Sequence, residues 1–415
     1  MPWLIRVMLK YHIESIYPRV NYSLKLRFVG IYMHRRIFTD CVDIVGSACK
    51  QYDGEKNYIS TGAVDVDYIV PSKVERFEYT DRPSRANLEV DKGDILFAKM
   101  QGTKKTLLIN ESLAKNVYST GFCAVRPKEG MLIERCLYHL VSSKTFLSQK
   151  DKNCSGATQK AITNAGLGKI MIKVPEYHSQ EKIADELDKL AKVIENRKSQ
   201  LEKMDELIKA RFVELFGDLN VNPKGWELKS FDELTNLITD GEHSTPRRCE
   251  EGIYLLSARN VLNHELQLED VDYIDDEEYE RISKRIIPQS GDVLLSCSGT
   301  VGRCCCVPEG LKFQMVRSTA LLRFKEELNP VFAEYMITSD FVQKQIDKAK
   351  TASSQANLFQ GKIAKLRGFV PPRELQEEFL VFVKQVDKSK VVVLRRLIQD
   401  CRNNVFAMHG MLGYP

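Results

Sequence analysis

The residues of this chain that could do chemistry do not form a catalytic set. There is no G-x-x-x-x-G-K-S/T loop to cradle a nucleotide phosphate, and no G-x-G-x-x-G opens a helix. An N6-adenine methyltransferase carries Asp, Asn or Ser, then two prolines, then an aromatic residue. Val370-Pro371-Pro372-Arg373 has the prolines and neither outer residue, so the pair reads as the stop before a helix with Pro in its first turn. A PD…ExK nuclease needs an acidic residue two before a lysine, and Asp94 stands too far from Lys99. The 7 histidines are scattered with no i,i+4 pair. The 11 cysteines are odd in number and none lies in a C-x-x-C pair. The run Cys304-Cys305-Cys306 sits in a strand-like stretch whose alternate side chains face opposite ways and cannot all ligate one metal. All eleven read as reduced thiols of a cytosolic protein, and the expectation is a chain with no catalytic residue and no metal.

What the sequence offers instead is a pair of long helical stretches. In residues 178–217 apolar side chains at Ile183, Leu187, Leu190, Ile194, Leu201, Met204, Ile208 and Leu215 step by fours and threes, a heptad seam interrupted by Arg197 and Arg211. Ser179 suits the N-cap and Gly217 the first position past the end. Asp185–Lys189, Asp188–Lys192, Lys198–Glu202 and Asp205–Lys209 are spaced as i,i+4 pairs for the outer faces. At a rise of ~1.5 Å per residue this helix is roughly 57 Å long. Its seam needs a partner, and residues 372–412 supply one. Phe379, Val383, Val386, Val393, Leu397, Cys401, Val405, Met408 and Leu412 keep the spacing, with Lys390 interrupting.

The two stretches share a lead-in, VPEYHSQEKI (174–183) and VPPRELQEEF (370–379), at an offset of 196 residues. With that offset known, more pairs appear. GDILFAKMQGT (93–103) matches GDVLLSCSGT (291–300), YSTGFCAVRPKEG (118–130) matches VRSTALLRFKEEL (316–328), and IFTDCVDIV (37–45) matches SFDELTNLI (230–238). SGATQKAITNAGLGKI (155–170) matches SSQANLFQGKIAKL (353–366) through Gln159 and Gln355. Short apolar runs between Gly, Pro and Asp turns read as strands in both copies, and residues 132–150 and 330–346 each read as one helix. The expected plan is therefore α+β: mixed α/β domains at 37–177 and 221–371, each followed by a long helix (178–220 and 372–412), the helices pairing as an antiparallel coiled coil.

Net charge is +5, but residues 1–36 hold seven cations against Glu14, or +6, which leaves −1 for 37–415. That first segment has no repeat partner. It reads as a poorly structured or mis-started extension, with a basic arm as the alternative; a secretory signal lacks its apolar core and cleavage site. The body carries no bulk positive field, so contact with a polyanion must use local patches. No apolar run reaches the ~18 residues of a membrane span.

Taken together, these features resemble the DNA-specificity subunit of type I restriction–modification systems. The likeness covers about residues 37–412. It is clearest in 174–217, ending KARFVELFGDL, in NPKGWELKSFDELTNLITDGEHSTP (222–246), in the GDIL/GDVL pair and in the S-x-x-Q stretches. The chain departs from the pattern before Phe38, where no counterpart of Lys224-Gly225-Trp226 stands. The resemblance implies two target-recognition domains, each reading half of a bipartite site in double-stranded DNA. It further implies two docked modification subunits that hold the S-adenosylmethionine-dependent methyltransferase, companion restriction subunits, and a cytoplasmic protein with no cofactor of its own. Expected DNA contacts are Lys99, Lys104 and Lys105 around Gly102-Thr103, Arg303 after Gly299-Thr300, Arg247 and Arg248 after Thr245-Pro246, and Arg259 with Asn260 at a strand end. Lysines there suit phosphate, and Arg and Asn suit base edges. Expected helix packing sets Ile183, Leu187, Leu190, Ile194 and Leu201 against Phe379, Val386 and Leu397. Two alternatives stay open: the detached recognition part of a fused restriction–methyltransferase enzyme, and a coiled-coil scaffold for proteins.

Helix length should then set the spacing of the half-sites. Four residues added near Lys198, with a matching insertion in 372–412, add ~6 Å of rise. Duplex DNA advances ~3.4 Å per base pair, so the unread spacer should lengthen by about one to two base pairs while both half-sites stay the same. Methylome sequencing of cells carrying the extended variant reads this directly. An active variant with an unchanged spacer excludes the ruler.

Overall fold

Both copies of the repeat build the same frame of edge pair, short helix, four-stranded main sheet and helix pair in the computed structural model, which describes residues 33–157, 159–351 and 356–411, with side chains through residue 399. Residues 1–32, Gln355 and Leu412 lie outside the described residues, as do the side chains of Cys401, Val405 and Met408. The chain divides into two units, 33–196 with 396–411, and 197–395, so that each long helix contributes one part to each unit.

In the first unit the strand Met33–Ile37 pairs antiparallel with Met171–Pro175. A short helix, Phe38–Cys41, follows. A four-stranded sheet then runs in the order Val42–Val45, Phe122–Pro127, Ile95–Ala98, Thr106–Leu108. A second sheet orders Glu75–Glu78, Glu55–Ile59, Val117–Ser119, Ala86–Leu88. The second unit repeats the edge pair, short helix and main sheet: Glu227–Ser230 pairs with Arg367–Val370, Phe231–Leu234 is the short helix, and the sheet order is Thr235–Asp240, Thr319–Phe324, Val293–Ser296, Cys304–Cys306, while its second sheet has three strands, Asp272–Ile274, Ile253–Leu256 and Phe313–Met315. Met33–Ile37 thus does in the first copy what Glu227–Ser230 does in the second. Residues 33–36, ahead of the expected boundary at 37, belong to this pair, and they have no sequence likeness to their counterparts.

The repeated motifs have structural causes. In GDIL and GDVL the glycine turns with positive φ (Gly93 +88°, Gly291 +90°), a backbone that a β-carbon disfavours. The buried aspartate after it accepts from the chain just before it and from an arginine on the neighbouring strand. Asp94 takes Asp91 N–H at 2.9 Å and Arg126 at 2.7 Å; Asp292 takes Gln289 N–H at 2.7 Å and Arg323 at 2.7 Å. Cys304 and Cys305 point into different cores, as strand alternation requires. Burial pushes both thiols well above their ordinary pKa.

The helices expected at 132–150 and 330–346 are each broken in two: Glu134–Ser142 and Lys144–Lys152, then Pro330–Thr338 and Asp340–Ala349. The breaks fall at Ser143 (ψ 146°) and Ser339 (ψ 152°), at the repeat offset. The Ser143 hydroxyl accepts from Phe146 N–H at 3.2 Å and caps the second helix, a local alternative that serine offers the backbone. The restarted helix then clamps the edge strand. Gln149 bonds both N–H and C=O of Met171, at 2.9 and 2.8 Å, and Gln345 does the same to Arg367, at 2.9 and 3.0 Å.

The central long helix spans Tyr177–Phe216 and the C-terminal one Arg373–Met411. The first starts two residues before Ser179, which lies inside it. It ends as expected at Gly217, with φ +80° and its N–H on Val213 C=O at 2.8 Å. In the second unit the two helices run antiparallel. From Asp205 to Arg211 the partners descend from Lys390 to Glu378, and Phe212 meets Phe379 edge-to-face at 5.4 Å. Ile208, Phe212, Leu215, Phe379, Val383 and Val386 are buried there in one core with the domain's own Phe332. Lys390 and Arg211 do not break the seam. Each lays its stem along it and pairs across it, Lys390 with Asp205 and Arg211 with Glu378.

Of the residues expected in i,i+4 pairs, Asp205 reaches Lys390 of the other helix. Asp185 and Asp188 bind Arg135 at 2.8 and 2.5 Å, and Lys189 binds Glu186. In the first unit Leu190, Ile194, Leu397 and Ile398 are buried. Ile183, Leu187 and Leu201 are only half-buried. The fully buried apolar position at the helix start is Ala184, packed in the first domain's core.

The shared lead-in is explained by its glutamine. Gln180 is buried; its Oε1 accepts from Ile133 N–H (2.8 Å) and its Nε2 donates to Met131 and Pro175 carbonyls (2.9 and 3.0 Å). Gln376 makes the same three bonds to Asn329 N–H (2.7 Å) and to the Glu327 and Pro371 carbonyls (3.0 and 2.8 Å). Replacing either by leucine leaves three buried or part-buried backbone groups without this partner and should cost about 3 kcal/mol. Thermal unfolding of Gln180→Leu and Gln376→Leu reads the loss. A cost under about 1 kcal/mol at either position would refute the latch.

Candidate nucleic-acid interface

In both units the loop between the third and fourth strands of the main sheet collects cations. In the first unit this is residues 99–105, where Lys99 donates to Thr120 C=O at 3.1 Å, Lys105 to Thr61 C=O at 2.6 Å, and Lys104 is exposed. Each ammonium has three donors, so one carbonyl bond leaves the others available. Long-range backbone bonds bring two further cations to the same end. Thr120 N–H donates to Arg85 C=O at 2.9 Å, and Gln101 N–H donates to Lys160 C=O at 3.0 Å. Arg85 and Lys160 are exposed. Among the described residues no ion pair ties Arg85, Lys99, Lys104, Lys105 or Lys160 to a carboxylate. Nothing in the sequence marked Arg85 or Lys160. They stand far from the loop in the chain and join it only through pairing at the sheet end.

The second unit has the same seven-residue connection, 297–303. Arg303 is half-buried, with its N–H on Ser296 Oγ at 2.9 Å. The opposite segment is fastened by Cys297 N–H to Ser318 C=O at 2.8 Å, and it presents exposed Arg317. Arg317 occupies the place of Thr120, and the sequence reading missed it.

The remaining expected contacts lie elsewhere in the second unit and are engaged. Arg248 and Arg259 both bind Asp272, at 2.9 and 2.8 Å. Burial opposes ionisation of Asp272, but these two hydrogen bonds outweigh it and hold its pKa below the ordinary carboxylate value. Arg247 binds Glu277 at 3.0 Å and approaches Glu278 at 3.5 Å. The hydrogen bond from Arg281, helped by the Arg247 N–H and both guanidinium charges against the cost of burial, lowers Glu278 to about 2. Asn260 is buried. Its amide donates to the carbonyls of Gln267 (3.0 Å) and Asp270 (2.9 Å), and its oxygen accepts from Ser257 N–H (2.9 Å). It closes a turn and has no free edge to offer a base, which corrects its place among the expected contacts.

Arranged this way, the free cations are suited to binding a polyanion: point charges and guanidinium forks at one end of a rigid sheet, in each of two repeated units, with no general acid–base or nucleophilic pairing around them.

The chain is 26% identical over 209 residues to the type I restriction enzyme MjaIX specificity subunit of Methanocaldococcus jannaschii, covering 44% of this chain and 48% of that one. It is 25% identical over 167 residues to the type I restriction enzyme HindI specificity subunit of Haemophilus influenzae, covering 39% and 36%. It thus matches half or less of the length of these relatives. A solved S subunit of a type I restriction–modification system from M. genitalium aligns over 92% of this chain and 95% of its own, at 13% identity and a TM-score of 0.47. The model of the type I restriction modification DNA specificity domain matches twice, at residues 47–203 and again at 223–399, once per copy of the repeat, and the chain belongs to that family.

Proposed function

We propose that this chain is the sequence-reading subunit of a type I restriction–modification complex and performs no chemistry itself. Each domain, taken as 37–177 and 221–371, lays the cation-bearing end of its main sheet on one half of a bipartite site in duplex DNA. Methyl transfer to adenine and cleavage belong to partners: two modification subunits, which hold S-adenosylmethionine, and the restriction subunits, all in the cytoplasm. The observation that carries this reading is the pair of equivalent loops, 99–105 with three lysines and 297–303 with Arg303, none of them in an ion pair with a carboxylate among the described residues. Phosphate contacts supply affinity and register, while guanidinium groups such as Arg303 and Arg317 can reach base edges.

Two measurements test it in the complex assembled with its modification partner. Lys104→Glu with Lys105→Glu should weaken DNA binding for every sequence. It should also lower the salt dependence, by about one unit of slope for each phosphate no longer neutralised. Unchanged affinity and slope would remove this loop from the interface. Exchanging residues 221–371 for the corresponding segment of a relative should change one half of the methylated motif and leave the other intact. A swap that alters both halves contradicts one domain per half-site.

A further inference from the structure

The most deeply buried charge in the first unit does not face solvent, a carboxylate cluster or the long helix. It is Lys150, in the helix Lys144–Lys152, with no exposed surface. Its Nζ donates to three backbone carbonyls of the cationic loop and its root: Met100 at 2.8 Å, Thr103 at 3.0 Å and Ala98 at 3.4 Å. The neighbouring Asp151 lies 3.2 Å from the ammonium and accepts Gly102 N–H at 3.1 Å. Lysine and loop depend on each other. A buried ammonium is tolerated only when all three of its donors are met, and three carbonyls converge only if the loop keeps this one shape.

The second unit has a connection of the same length and holds it differently. At the repeat offset, Lys150 corresponds to buried Ile346. There the loop is tied by neutral groups: the Ser296 hydroxyl donates to Thr300 C=O at 2.7 Å, and Gln343 donates to Gly302 C=O at 2.9 Å. The first unit has Ala98 where Ser296 stands and therefore no hydroxyl to do this. The surrounding helix is otherwise equivalent, with Gln149 and Gln345 making the same clamp.

From this contrast we infer that Lys150 is a positioning residue for DNA reading by the first domain, a buried cation that fixes the 99–105 loop and thereby the placement of Lys99, Lys104 and Lys105. The inference rests on the DNA-recognition reading above. It touches one half-site only, because the second unit has no counterpart of this lysine.

The test uses the complex with its modification partner and three variants. Lys150→Ile installs the residue its repeat counterpart carries. Lys150→Gln keeps two amide donors. Leu137→Ala truncates a buried core residue of the same unit that makes no hydrogen bond to the loop's carbonyls. The readouts are amide hydrogen exchange over 99–105 and methylation of cognate DNA against DNA with a single base changed in either half-site. Lys150→Ile should speed exchange in the loop and reduce discrimination at the first half-site about tenfold, the scale of a single base-edge interaction, leaving the second half-site as in wild type. Lys150→Gln should recover most of that discrimination, and it serves alone if the isoleucine variant does not fold. Leu137→Ala should lower the unfolding temperature without changing discrimination.

Unchanged loop exchange in folded Lys150→Ile, equal loss at both half-sites, or equal loss in Leu137→Ala would each overturn the assignment. A wild-type complex that discriminates at neither half-site would instead overturn the DNA-recognition reading. Slow exchange in 99–105 that accelerates in Lys150→Ile would then still show the anchoring.

Discussion

A single buried amide joins each long helix to its domain, and much of the architecture follows from it. Gln180 and Gln376 sit one turn into their helices and bond the turn that precedes the domain's own helix pair, while also tying down the proline carbonyl just upstream. A glutamine is suited to this because it donates and accepts at the end of one flexible stem. Inside a core those bonds are costly to lose, so the angle at which chain leaves the sheet and enters the helix is set by chemistry and not by loop slack. Gln149 and Gln345 repeat the device on the edge strand.

Along the helices the same pairing rule governs charge. Arg211 and Lys390 occupy seam positions that a purely apolar pattern would forbid, yet each finds a carboxylate on the facing helix. Such pairs add little net stability in partly exposed settings. They do set register, since a one-residue slip would bring like with like or leave a charge facing Phe379 or Val386. The aromatic cluster of Phe212, Phe216, Phe332 and Phe379 then welds seam and domain core into one packed body within the second unit.

Against this constant frame, the loops at the end of each main sheet are free to differ. The frame pairs charged groups within itself: Asp94 with Arg126, Asp292 with Arg323, and Arg248 and Arg259 with Asp272. Lys99, Lys104, Lys105 and Arg303 stand on connections that the frame holds, with no ion pair to a carboxylate among the described residues. Constant glutamines and aspartates with variable loop cations are what one fold needs to present different surfaces without changing its core.

The sequence by itself determined the repeat, both long helices, the central strands of both main sheets and the end of the first helix at Gly217. These are read from the chain directly: periods of two and three to four residues, motifs that recur some 193 to 198 residues apart, and a glycine where a positive φ is needed. It determined the loop lysines as candidates because they flank a turn. Tertiary structure decided the rest. Whether a surface charge is free depends on residues far away in the chain, so Arg247, Arg248 and Arg259 became engaged while Arg85, Lys160 and Arg317 joined the candidate face. Asn260 could not be read as a turn-closing amide until its carbonyl partners were in place. The breaks at Ser143 and Ser339 escaped the periodic pattern because each turns on one residue, the Ser143 hydroxyl capping the next helix and the Ser339 hydroxyl bonding back to Met336 C=O. Lys150 reads in sequence as one more surface lysine. Its burial exists only because three carbonyls of a distant loop converge on it, and no local pattern encodes a convergence of backbone.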